Sequence, residues 1–200
     1  MAERSKFWTR ASLKVKRHNC SEVILSTRIN IVPAVRLLGS LTADQLTAIY
    51  QRISSSTSLK ELLIRANNHR KVPSDLLASA LIRLEKGDIS ACVLSSEQLR
   101  TLLSNIAASS KLQHLRLNYN NLSEVPSELL VTAVSTLKAV GLKFADLTAD
   151  QVSALYRMVA EKRAGRLKLL GLVMNNHSGV SQSLYRQAKL NTDVRMIIYE

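Results

Sequence analysis

Apolar and polar positions recur along the chain in a fixed pattern, read most clearly from Leu112 to Leu122. Leu112, Leu115, Leu117 and Leu122 are apolar, and Asn120 stands between the last two. Leu115 and Leu117 are two apart, so in a strand both point to one face and Arg116 between them points to the other. Asn in the turn that follows carries an amide able to bond backbone groups that no sheet neighbour reaches. The same spacing occurs at Leu59, Leu62, Ile64 and Asn67, and again at Leu167, Leu170, Leu172 and Asn175. Between these copies lies an alternate form: Leu84, Ile89, Cys92 and Leu94, then Leu137, Val140, Leu142, Ala145 and Leu147. A second motif keeps the register. Leu41-Thr-Ala-Asp-Gln-Leu46 returns as Leu94-Ser-Ser-Glu-Gln-Leu99 and as Leu147-Thr-Ala-Asp-Gln-Val152, in two steps of 53 residues. Each long period therefore holds two units of 25 to 28 residues.

Each unit predicts a short strand, a turn and a helix. Leu46, Ile49, Tyr50 and Ile53 fall on one face at three-to-four spacing, which predicts a helix from Thr42 to about Ser56. Thr42 is a good N-cap, and Gln45 three residues on completes a capping box; Ser95/Gln98 and Thr148/Gln151 repeat the pair. A second helix type opens at Val72-Pro73-Ser74 and Val125-Pro126-Ser127, where Pro in the first turn forfeits no hydrogen bond. Leu76, Leu77, Ala80 and Leu81 form its apolar face, matched by Leu129, Leu130, Ala133 and Val134. The last copy, from Val180 to Leu184, lacks the Pro. The expectation is about seven parallel strands, near Val35, Leu62, Gly87, Leu115, Val140, Leu170 and Ile197, with about six helices on one face. Pro33 suits only a strand start or an edge, which makes Val32 to Leu41 the first strand. Val194, Ile197 and Tyr199 read as the last. No polar capping helix follows, so the sequence reads as part of a longer or eroded array.

The motif L-x-x-L-x-L-x-x-N-x-L is the leucine-rich-repeat signature. Paired units alternating an Asn-type turn (Asn67, Asn120, Asn175) with a Cys/Ala-type turn (Cys92, Ala145) resemble the ribonuclease-inhibitor-type leucine-rich-repeat family. The resemblance covers about Val32 to Glu200. It implies an α/β solenoid, a horseshoe with parallel strands on its concave face and helices on its convex face. Residues 31–200 would form an array of about six to seven repeats, and residues 1–30 a basic N-terminal arm or a decayed cap. The family includes repeat arrays of NOD-like receptors and of Ran GTPase activators. The chain has no nucleotide-binding loop G-x-x-x-x-G-K-[ST].

Composition changes this picture in one respect. The chain has 200 residues, 46% of them hydrophobic and 4% aromatic, which is ordinary for repeat interiors filled by Leu, Ile and Val. No apolar run approaches the ~18 residues needed to span a membrane. The N-terminus shows no apolar signal core, and its apolar residues make no helical stripe of the kind a mitochondrial transit peptide has. Two cysteines, Cys20 and Cys92, cannot build a disulfide framework or a four-Cys zinc site. These features are those of a protein in a reducing compartment, with a cytoplasmic location expected. The charge stands out: the net value is +13, with +5 in residues 1–30 alone. An excess of this size attracts nucleic acid, anionic lipid or an acidic protein face.

Candidate chemistry is sparse. His18, His69, His114 and His177 are scattered, without H-E-x-x-H or C-x-x-C, so neither a metal nor a cofactor is expected. The acids beside Gln45, Gln98 and Gln151 sit in helix first turns, where the helix dipole accounts for them. The outward strand positions are more informative. Leu63, Asp88, Arg116, Gly141 and Gly171 form one ladder, and Arg65, Ser90, Asn118, Lys143 and Val173 the next. One residue further come Ala66, Ala91, Tyr119, Phe144 and Met174, where Tyr119 and Phe144 are close enough to stack. Two glycines in the middle ladder predict a flat, accessible floor. The expected function is a non-enzymatic scaffold that binds a protein partner on the concave face. Arg65, Asp88, Arg116, Asn118, Tyr119, Lys143, Phe144 and Met174 are its contact residues. Two alternatives stand beside it. One is GTPase activation like that of the Ran activators, with Arg65 as the acting residue. The other is binding of nucleic acid or an anionic surface through the arm at Lys14, Lys16 and Arg17.

Overall fold

The structure, a computed structural model, describes residues 12–15, 34–39, 41–108 and 111–198. One sheet carries every strand among the described residues, parallel and in chain order. The strands are β1 (Ser12–Val15), β2 (Ala34–Leu38), β3 (Glu61–Arg65), β4 (Lys86–Asp88), β5 (His114–Arg116), β6 (Ala139–Gly141), β7 (Leu169–Gly171) and β8 (Arg195–Ile197). The helices are α1 (Ala43–Ser55), α2 (Ser74–Leu81), α3 (Ser96–Ala108), α4 (Ser127–Thr136), α5 (Ala149–Ala160) and α6 (Gln182–Leu190). Consecutive helices pack on one another in the same order as the strands they connect. Strands and helices thus form two layers, each running through the chain in sequence.

Seven strands and six helices fall where the periodicity places them. One expectation is corrected. Val32–Leu41 does not supply the first strand, because Ser12–Val15 pairs parallel with β2 ahead of it. Phe7, Trp8, His18, Cys20, Pro33 and Tyr199 lie outside the described residues.

The core lies between the layers. Leu62 and Ile64, Leu115 and Leu117, Val140 and Leu142, and Leu170 and Leu172 are buried against the helices. From the helix side they meet Leu46, Ile49 and Ile53 of α1, Leu77 and Leu81 of α2, Leu99, Leu102 and Ile106 of α3, and Val152, Leu155 and Val159 of α5. Burying each such side chain contributes roughly 1.5–3 kcal/mol. Gly87 takes the inward position that Leu62 and Leu115 hold in neighbouring strands, and the side chains of Leu81, Leu112 and Leu115 close around it.

Both capping boxes, Thr42/Gln45 and Thr148/Gln151, are formed, and Ser95/Gln98 makes the same reciprocal pair of bonds. The glutamines do more than cap. Gln98 Nε2 also donates to the carbonyls of His69 and Val72, and Gln151 Nε2 to those of Leu122 and Val125. Each is a buried strap onto the preceding unit. Pro73 and Pro126 sit one residue earlier than the first-turn expectation, at the N-caps of α2 and α4. There they have extended ψ values of 133° and 134° and offer no side-chain cap.

The turn after each strand is held by a polar ladder inside the protein. Asn120 Oδ1 accepts from Cys92 N, and its Nδ2 donates to Ile89 O and Leu117 O. Asn175 repeats this with Ala145 N, Leu147 N, Leu142 O and Leu172 O. Asn67 accepts from Leu41 N and donates to Arg65 O. In the alternate units the Cys92 thiol donates to Ile64 O at 3.0 Å. Burial, more than any neighbouring charge, pushes that thiol up to about 12, so it stays protonated and inert.

Candidate functional site

The sheet face away from the helices is built from three rows, one residue per strand. The first runs Ala34, Glu61, Lys86, His114, Ala139, Leu169 and Arg195. The second runs Arg36, Leu63, Asp88, Arg116, Gly141, Gly171 and Ile197, as the spacing predicts. The third continues through Arg65, Ser90, Asn118, Lys143 and Val173. Sequence reading passed over the first row, although counting back two from Asp88 and Arg116 reaches Lys86 and His114.

The polar residues of this face do not all look outward. Asp88 was expected to be exposed and is completely buried. Arg65 from β3 donates to its Oδ2 from both Nε and Nη2, Arg116 from β5 lies 3.5 Å away, and Ser90 donates to Oδ1 from Oγ and N. A carboxylate in the middle of the face draws arginines from both neighbouring strands over itself, and they shut water out. Glu61 is held likewise by Lys86 at 2.6 Å. The next rung carries His114, whose pKa is lowered by burial first and then by Lys86, Lys138 and Arg116.

The glycine floor is also corrected. A Cβ on Gly141 would lie 2.9 Å from Asn118 Oδ1, so the position is already roofed. Asn118 leans over it and accepts from Lys143 N at 2.9 Å. Gly171 is buried. Asn118 therefore ties β5 to β6, and Gly141 is the residue that gives it room.

What stands clear of the face is the row beyond. Backbone bonds from Ala66 N to Ser90 O, Ala91 N to Asn118 O, Tyr119 N to Lys143 O and Phe144 N to Val173 O set Ala66, Ala91, Tyr119, Phe144 and Met174 on successive rungs. All five are left-handed, with φ between 50° and 58°, and Gly39 at 67° begins the row. Strand alternation would send these side chains toward the core; the left-handed turn swings them out instead. Tyr119, Phe144 and Met174 are 57%, 39% and 53% exposed, and the two rings stack with centroids 4.8 Å apart and planes 10° from parallel. Of the expected contact residues, Tyr119, Phe144 and Met174 lie on this row, while Arg116 reaches toward Asp88. Arg65 lies two strands from Tyr119, engaged with Asp88.

Two tyrosine–histidine pairs make the other polar feature. Tyr50 OH donates to His69 Nε2 at 2.9 Å while His69 Nδ1 faces Asn67 O at 3.2 Å. Tyr156 OH and His177 Nδ1 form a longer pair at 3.4 Å. The core role expected of these histidines holds for His69, which is fully buried. Sequence reading did not find the tyrosine partners. The signal was present: position 53 residues after Tyr50 is Leu103 and that after His69 is Leu122, so Tyr/His and Leu/Leu alternate as pairs.

No group of three His, Cys, Asp or Glu among the described residues is arranged to hold a metal ion. No described helix is long and apolar enough to cross a membrane. The chain matches no model of a known protein family, and no curated protein is similar to it.

Proposed function

We propose that the chain is a leucine-rich-repeat solenoid of the ribonuclease-inhibitor type. In this reading it acts without catalysis, as a scaffold in a reducing compartment such as the cytoplasm. It binds a protein partner on its strand-lined face. The observation that carries this is the Tyr119–Phe144 stack. Two large rings stand in solvent on left-handed backbone, a conformation that costs a residue other than glycine about 1–2 kcal/mol. The left-handed turn is common to every unit, but the exposure of two adjoining rings serves no core contact, and adjoining exposed apolar side chains mark contact sites. Arg116 and Lys143 supply orientation and charge.

The test is affinity capture of partners by the full chain and by Tyr119→Ala/Phe144→Ala, followed by calorimetry on any partner that the wild type enriches. The double change is expected to weaken binding by at least ~2 kcal/mol, the hot-spot scale, with unaltered circular dichroism. Arg157→Ala, on the exposed side of α5, is expected to leave affinity unchanged. Equal affinity of the double variant refutes the reading. GTPase activation is the weaker alternative, because an Arg65 committed to buried Asp88 is not available to reach a nucleotide; stimulated GTP hydrolysis would revive it. Binding through Lys14, Lys16 and Arg17 rests on side chains outside the described residues. A salt titration with random RNA tests it.

A further inference from the structure

We propose that the rim on which the strands begin holds the phosphate backbone of duplex nucleic acid, gripped by Lys111, Lys138, Lys162, Arg166 and Lys168 without reading its sequence. This site lies apart from the strand-lined face and stands independently of the function read there. All five side chains are exposed, and none forms an ion pair with a described residue. They come from three consecutive units, ahead of β5, β6 and β7. Lys138 and Lys168 stand on adjacent rungs, since Lys168 N donates to Lys138 O at 2.8 Å. Adjacent rungs are about 4.8 Å apart, so two like charges stand side by side, an arrangement that costs stability. Lys162 and Lys168 border one hollow with Gly165, which brings a third cation to the pair; Asp193 is the carboxylate on its border. The acids Glu85 and Glu161 in these loops are engaged by Lys60 and Arg163.

Folding does not account for this charge. The opposite rim is acidic for a local reason: Asp44, Asp75, Glu97, Glu128 and Asp150 sit in the first turns of α1 to α5, where the helix dipole favours them. The dipole would equally favour cations in last turns, yet α2, α3 and α4 have none there. The five cations stand in the loops beyond the helices, and a bound anion would relieve their repulsion. The make-up of the rim selects that anion. Residues 111–113, 137–138 and 161–168 include no aromatic, whereas single strands are held by stacking on rings. Of the exposed large hydrophobics, Val93, Tyr119, Phe144 and Met174 follow the strands, and only Leu190 comes near, across a hollow it shares with Lys162. A membrane surface takes up apolar side chains along with charge. A protein interface is built on buried anchors and is poor in Lys. Four of the five cations here are lysines. A duplex asks only for point charges along its phosphates.

The test is fluorescence anisotropy of the full chain with a 20-base-pair DNA duplex over a series of salt concentrations. A duplex of scrambled sequence is expected to bind equally. Each phosphate contact adds about 0.9 to the slope of log affinity against log salt. Lys138→Gln/Lys168→Gln is therefore expected to bind at least tenfold more weakly, with a slope lower by about 2. The same variant is expected to melt at a higher temperature, because the repulsion is gone. Unchanged affinity and slope overturn the proposal, and so does a lowered melting temperature, which would give the lysines a role in the fold. Binding that survives in this variant but is lost in Lys14→Gln/Lys16→Gln/Arg17→Gln moves the site to the N-terminal arm. Tighter binding to phosphatidylcholine/phosphatidylserine 7:3 vesicles, lost in Leu190→Ser, overturns the duplex in favour of a lipid surface. Poly-glutamate bound as tightly as the duplex overturns it in favour of an acidic protein.

Discussion

Replacing the buried Tyr50–His69 pair tests whether the units are interchangeable in their packing. Both side chains are fully buried, and the bond between them is 2.9 Å. In the next long period the same two positions are Leu103 and Leu122, also fully buried. Tyr50→Phe strips the hydroxyl and strands His69 Nε2; His69→Leu strands the hydroxyl. Each single change leaves a buried polar group unsatisfied, at about 1–3 kcal/mol. The double change removes both groups and approaches the Leu/Leu solution, so it should cost less than the sum, with a coupling of about 1–3 kcal/mol. Urea denaturation followed by circular dichroism measures the cycle. Additivity within about 0.5 kcal/mol refutes the reasoning. A pH arm checks it independently. Burial, opposed in part by backbone bonds to Asn67 and Cys92, lowers the His69 pKa. The unfolded chain therefore binds a proton near pH 6.5 that the folded chain does not. Stability present above that pH is lost as pH falls toward the folded value. His69→Leu should flatten this acid slope, leaving the part contributed by His114, whose pKa is lowered too.

Other predictions concern the face and its turns. Leu115→Ala should cost about 2–5 kcal/mol, as a residue buried between layers, whereas Arg116→Ala should cost at most about 1 kcal/mol. Arg65→Ala should cost more, about 3–5 kcal/mol, because Asp88 then keeps a buried charge whose nearest cation is Arg116 at 3.5 Å, with the Ser90 hydrogen bonds to Oδ1 alone left intact. A loss no larger than that of Arg116→Ala, in the same denaturation series, would contradict the burial of Asp88. Val93, a β-branched residue at φ 46°, is strained where the equivalent turn has Asp146 at 49°. Val93→Asn should raise stability by up to about 1 kcal/mol in thermal melts, and a lower melting temperature would show that the side chain packs favourably.

Periodicity sufficed for most of the architecture. The strands from Val35 to Ile197 and the helix onsets follow, to within a residue or two, from two spacings, three-to-four and two, reinforced by copies 53 residues apart. The two failures on the face have a common cause. Period two says which side of a strand a residue leaves from, not what then covers it. Asp88 leaves from the open side and vanishes under Arg65 and Arg116; Gly141 leaves a gap that Asn118 fills. Neither contact joins residues near in sequence. The ridge was visible only in part: Tyr119 and Phe144 were found by alignment of the units, but the left-handed backbone that turns them outward has no Gly to announce it except at Gly39.

That backbone separates two tasks within each unit. The position after the ridge residue carries the internal ladder, Asn67, Cys92, Asn120, Ala145 and Asn175, whose bonds close the turn from inside. Because the turn is held there, the ridge residue contributes little to the fold and is free to vary in size, from Ala at 66 and 91 to Tyr, Phe and Met at 119, 144 and 174. The large side chains occupy consecutive rungs and the small ones the rungs before them. A chain under no demand beyond folding would gain from Gly at all five, since Gly reaches this φ without strain. The departure from Gly is greatest where three large apolar side chains adjoin, at Tyr119, Phe144 and Met174, and that is the stretch of the row on which the proposed binding function rests.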